Sequence, residues 1–168
     1  MRPRLCRRCE RRDTLSELPE LRDAVDGELK DLVAELDSVQ PLLAKVFAAE
    51  PDAIELRAIA ATLHAYYNGV ERVFVLIAKH FSELPAESHT WHRDLLKQMS
   101  TSTDHRPRVI SNELRDELSQ LLGFRHFFRH AYPMRLKWDL IRPLVKHLEL
   151  SRRAFKREVY AFLATLDQ

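Results

Sequence analysis

The feature that most constrains this chain is the spacing of its apolar residues. From Leu18 to Val39 they fall at Leu18, Leu21, Val25, Leu29, Leu32, Leu36 and Val39, with gaps of three and four. That period buries one stripe of an α-helix and fits no half-buried strand, whose period is two. Pro41 should end or kink this helix, and Leu42, Leu43, Val46 and Phe47 continue a helical pattern. After Glu50-Pro51-Asp52, a helix start signal, a second stripe of Leu56, Ile59, Leu63, Tyr66, Val70, Phe74, Ile77 and Phe81 predicts a long helix over about Ala53 to Phe81. Glu83-Leu-Pro-Ala-Glu breaks the pattern, a shorter helix is expected over Trp91 to Met99, and Ser100 to Val109 reads as a loop. Ser111 is the natural N-cap of a further helix running to about Arg129, and a last one begins near Trp138. The expected fold is all-α, an up-and-down bundle of four to five helices.

Composition agrees, with only three glycines in 168 residues and no runs of β-branched residues. The net charge of +2 hides an asymmetry. Six arginines against one acid give the first twelve residues about +5, which leaves the remainder near −3. A domain that is not basic overall cannot hold nucleic acid by bulk charge, so any such contact must come from a local cluster. Residues 1–14 are expected to be a disordered basic tail, or an addition from an upstream start codon, and residues 15–168 one helical domain. Cys6 and Cys9 lie in the tail; His89 and His92 could be imagined as the rest of a zinc site, but the spacing is unconvincing and no metal is expected. There is no apolar run of about 18 residues and no signal-like stretch, so a cytoplasmic protein without a membrane association is expected.

One segment breaks the apolar pattern. The stripe Leu114, Leu118, Leu121 continues at Arg125 and then Phe128, which puts an arginine where a core residue is due. A cation there must be paired, and it marks an interface or a site. Around it stand Phe124, His126, Phe127, Arg129, His130 and Tyr132. On one continuous helix, the five-residue step from Arg125 to His130 turns them about 140° apart, too far to act on the same atom. Pro133 disfavours helical dihedrals at Tyr132, so either His130 and Tyr132 lie on a turn past the helix end, or the groups meet across a two-fold axis between two chains. The chemistry that fits is RNA phosphodiester cleavage. Histidine can take the 2′-hydroxyl proton near neutral pH, and arginine grips phosphate oxygens and the charge that develops on them. The plain alternative is that cations merely complement the negative end of the helix dipole. His64, His80, His105 and His147 are expected to be solvated, Tyr66, Tyr67, Phe74 and Phe81 to be core, and Trp91-His92-Arg93 a packing anchor.

Arg125-His-Phe-Phe-Arg-His130-Ala-Tyr132 resembles the R-x4-H-x-Y signature of HepT-like toxins, a branch of the HEPN superfamily. Tyr67-Asn68-Gly69-Val70-Glu71-Arg72-Val73-Phe74, Trp91-His92-Arg93-Asp94-Leu95-Leu96 and Arg106-Pro107-Arg108-Val109-Ile110-Ser111 resemble one subgroup of them, from roughly Leu15 to the C-terminus. The resemblance implies a HEPN-like bundle that forms a homodimer with two R-x4-H motifs in one cleft. It implies a metal-independent endoribonuclease that leaves a 2′,3′-cyclic phosphate and needs no cofactor. It also implies a toxin–antitoxin pair with a minimal nucleotidyltransferase (MNT), which silences the toxin by AMPylation of the motif tyrosine, here Tyr132. Carried over on this basis, Arg125 stabilises phosphate and transition state and His130 is the acid/base. Arg129 and His126 are extra cations for RNA, while Glu71 and Asn68 line the site from the second long helix. The competing reading is a non-catalytic helical dimer that serves as binding partner of the nucleotidyltransferase; a third is a purely structural dimer.

Overall fold

The computed structural model describes residues 18–130 and 136–167. Six helices follow in order: α1 (Leu18–Ser38), α2 (Gln40–Lys45), α3 (Ala53–His80), α4 (Trp91–Met99), α5 (Asn112–His130) and α6 (Trp138–Thr165), with no strand among the described residues. This is the all-helical bundle expected from the periodicity. The sixth element is α2, which is no separate layer. The backbone turns at Val39, and Pro41 sits in the first turn of α2, where its missing N–H costs nothing.

The middle of the bundle is α3, which packs against all five other helices. Its start is fixed by a reciprocal cap. Ile54 N and Glu55 N donate to Asp52 Oδ1 at 2.8 and 2.9 Å, and Asp52 N donates back to Glu55 Oε2 at 3.1 Å. Its end is as definite. Ser82 adopts a left-handed backbone (φ 54°), which lets Ser82 N reach Lys79 O at 3.0 Å and Glu83 N reach Ala78 O at 2.8 Å. Ile59, Leu63, Tyr66, Tyr67, Val70, Val73, Phe74 and Ile77 are all but fully buried along its length.

Gly69 explains how closely α1 can lie on α3. A Cβ at this position would stand 2.6 Å from Leu32 Cγ and closer still to Leu32 Cδ2. Gly69→Ala should therefore lower stability by up to about 2 kcal/mol, an overpacking cost of roughly 1–3 kcal/mol less the roughly 1 kcal/mol gain in helix propensity. Urea melts would show it. In a Leu32→Ala background, where the colliding atoms are gone, the same substitution should be neutral or stabilising, and equal losses in both backgrounds would disprove the contact.

The connection from α4 to α5 has no repeating structure but is firmly held. Val109 N and Ile110 N donate to Met99 O at 2.8 and 3.2 Å, and both side chains are buried. Arg106 is wholly enclosed; its Nε lies 2.9 Å from Glu83 Oε2, and its amino groups donate to Gln98 O, Thr101 O and Pro107 O. Glu83, delivered by the turn that ends α3, also accepts from Thr103 Oγ1 at 2.6 Å. The α5 start then locks onto α6. Ser111 Oγ accepts from Leu114 N as the expected N-cap, while Ser111 N and Oγ donate to Glu158 at 2.7 and 3.1 Å. The result aims α5 along α3 with its basic end free.

Candidate active site

Arg125 does occupy the apolar stripe of α5, below Leu114, Leu118 and Leu121, and is 9% exposed. Its charge is met from α3. Nε donates to Asn68 Oδ1 at 2.6 Å, and Nη2 donates to Glu71 Oε1 at 3.3 Å. Nη1 has no hydrogen-bond partner among the described residues. Two of the guanidinium's three nitrogens are thus tied down, which fixes its plane and leaves one edge for a ligand.

Asn68 and Glu71 are themselves backed by histidines. Asn68 Nδ2 donates to His64 Nε2 at 3.0 Å, and the His64 ring lies tilted against Phe128 with centroids 5.1 Å apart. Because the amide nitrogen can only donate, His64 Nε2 must be bare and the ring's proton sits on Nδ1. Burial lowers the His64 pKa, and the positive charges of Arg125 and Arg129 push it the same way, so the ring stays neutral as the bond requires. On the other side His92, from the first turn of α4, donates Nδ1–H to Glu71 Oε2 at 2.6 Å. The connected chain runs His64, Asn68, Arg125, Glu71, His92.

Two of these groups depart from what the pattern suggested. His64 is not a solvated histidine but a half-buried member of the chain, and His92 is an ion-pair partner rather than only a neighbour of a packing anchor. The available signal was the spacing His64, Asn68, Glu71, which at i, i+4 and i+7 puts three polar groups on one face of α3. His80 packs edge-on against Phe81, while His105 and His147 are exposed, and Tyr66, Tyr67 and Phe74 are core with Phe81 packed against it.

His130, too, departs from the expected turn. It lies inside α5, as its last residue, and not on a turn beyond it. Its Nδ1 is 2.9 Å from His126 O, one helical turn back. A carbonyl only accepts, so Nδ1 carries the proton and, in the neutral ring, the exposed Nε2 is the free base. The proline after Tyr132 restricts that tyrosine, not His130 two residues earlier, so nothing prevents a helical His130. Arg125 and His130 therefore sit on one continuous helix, the first turned inward to α3 and the second outward. His126 and Arg129 are exposed on the same last turn, with the His126 and His130 rings 4.8 Å apart. Tyr132 and the cysteine-bearing tail lie outside the described residues. Among the described residues no group of three or more His, Cys, Asp or Glu is arranged to hold a metal ion, and no helix is long and apolar enough to cross a membrane.

Neither a curated protein nor a solved structure matches this chain. A family model described as HepT-like protein matches residues 58–166, a span that takes in α3 nearly whole and all of α4, α5 and α6. That span holds every member of the polar chain around Arg125 together with His130. Since the match covers well over half of the sequence, the chain belongs to the HepT-like protein family of the HEPN superfamily.

Proposed function

We propose that this protein is a metal-independent endoribonuclease toxin that works as a homodimer and is silenced through Tyr132 by a nucleotidyltransferase antitoxin. The observation that carries the reading is the Arg125 guanidinium, oriented by Asn68 and Glu71 with Nη1 unbonded among the described residues, on the same helix as His130 and about a turn and a half before its exposed imidazole. Family membership supports the ribonuclease class. Arg125 binds a non-bridging phosphate oxygen and stabilises the charge that grows on it during attack. His130 Nε2 removes the proton from the 2′-hydroxyl, the 2′-oxygen bonds to phosphorus, and the 5′-oxygen leaves with a proton from water. The products are a 2′,3′-cyclic phosphate and a 5′-hydroxyl.

Because one helix turns Arg125 and His130 about 140° apart, each of the two sites in the dimer is built from two chains, with His130 of one copy meeting Arg125 of the other. Exposed Arg129 and His126 bind the RNA backbone beside it. AMP added to Tyr132 would bring phosphate charge and bulk next to these cations and repel RNA. One observation favours the alternative, a non-catalytic dimer that holds the nucleotidyltransferase: Arg125 is mostly buried and paired, as a structural arginine would be. The test is cleavage of RNA by the purified chain in EDTA, with product ends read by mass spectrometry. Cyclic phosphate ends are expected. Intact RNA, or activity that disappears in EDTA, would defeat the proposal. Incubation with the nucleotidyltransferase and ATP should add AMP to wild type and not to Tyr132→Phe.

A further inference from the structure

Glu71 is placed where it could disable the site it supports. A carboxylate beside a guanidinium closes by preference into a two-pronged pair, each oxygen taking one N–H, and a guanidinium so paired is neutralised toward phosphate. Here that closure has not occurred. Glu71 Oε1 touches Arg125 at a long 3.3 Å, while Oε2 is taken by His92 at 2.6 Å. The carboxylate is 13% exposed, so little water competes for it, and the two side chains hold one oxygen each. His92 can do this in either protonation state, because Nδ1–H donates in both. Its ring is braced by Trp91, edge-on at 4.9 Å, and it comes from α4, an element that contributes no other group to the chain around Arg125.

We propose that His92 is a positioning residue, which by binding one oxygen of Glu71 keeps the carboxylate from closing on Arg125 and so leaves the guanidinium to substrate phosphate. The consequence for catalysis rests on the ribonuclease reading above; the restraint on Glu71 does not. Without His92, Glu71 swings its freed oxygen to Arg125, and the cation is neutralised while the fold stays intact. Asn68, bonded to Nε, holds the guanidinium plane in every variant considered below.

Two measurements on the full chain test this. In cleavage assays His92→Ala should lose roughly 10–100-fold in kcat/KM, the scale of a displaced catalytic group. His92→Asn, whose amide can stand where Nδ1 stood, should stay within a few-fold of wild type. Adding Glu71→Gln to His92→Ala should recover most of the loss, since a neutral amide cannot neutralise Arg125. A purely structural His92 would give the opposite, a double variant worse than the single. Independently of cleavage, the Arg125 Nε–H resonance, assigned by its disappearance in Arg125→Lys, should move in His92→Ala and return in His92→Asn. An unmoved resonance, or unchanged kcat/KM, overturns the proposal. Should wild type cleave no RNA, the ribonuclease reading fails, and the resonance still decides whether His92 restrains Glu71. His92 is one-third exposed, so truncation removes little core; if His92→Ala nevertheless unfolds, His92→Phe keeps a ring, removes the donor and carries the same comparison.

Discussion

Arg125→Ala and His130→Ala should each reduce RNA cleavage by at least a hundredfold, yet an equal mixture of the two variants should recover about a quarter of wild-type activity. The size of each single loss follows from the roles. An arginine aimed at a developing oxyanion, or a histidine that moves the attacking proton, is worth two to four orders of magnitude when removed. The recovery follows from the helix. Arg125 and His130 leave α5 on different sides, one bound to α3 and the other in solvent. In a mixed dimer one cleft joins both defects and the other joins an intact arginine to an intact histidine. Random mixing makes about half of the dimers mixed, each with one working site of two. Chains must be unfolded together or co-expressed so that they exchange, and a tag on one variant allows the mixed species to be isolated. If activity stays at the single-variant level in isolated mixed dimers, each site lies within one chain, and the geometric case for a shared cleft is lost.

Much of this was legible in residue order, for reasons that differ from place to place. The long helices announced themselves because an amphipathic period of three and four has one structural meaning over twenty residues, and α4 came out at Trp91 to Met99 as read. Arg125 was conspicuous because a cation on an apolar stripe must find a partner. Which partner could not be read from spacing alone. Asn68 and Glu71 were suggested by resemblance, while His64 and His92 escaped, since helix periodicity says which residues share a face but not which neighbouring helix that face meets. The placement of His130 on a turn was mistaken for a local reason. The restriction imposed by Pro133 acts on Tyr132, and the imidazole of His130 bonds back to His126 O inside the helix. Residues of Arg106-Pro107-Arg108 stood out only as part of a family pattern, and sequence gave no hint that the first is buried and the last exposed.

That burial makes Arg106 a position where substitution should cost much stability. Its side chain is fully enclosed, and burial lowers its pKa while Glu83 opposes the shift by favouring the charged form. Arg106→Met should destabilise the protein by about 3–5 kcal/mol, because it leaves the Glu83 carboxylate, 12% exposed, without its cation and the Thr101 and Pro107 carbonyls without the Arg106 donor. At about 2–4 °C per kcal/mol for a chain of this size, the midpoint of thermal unfolding should fall by roughly 6–20 °C. Arg106→Lys should fall between, since an ammonium keeps the charge but cannot serve Glu83 and three carbonyls at fixed angles. Arg106→Met combined with Glu83→Gln should regain part of the loss by removing the stranded charge, which a double-mutant cycle reads directly. Cleavage by the folded protein at low temperature should be nearly unchanged, because Glu71 and the end of α3 at His80 are about 13 Å apart along the helix, and Arg106 pairs with Glu83 beyond that end. A stable Arg106→Met protein would mean that the enclosed ion pair holds nothing together; a stable fold with lost cleavage would make Arg106 part of the RNA site instead.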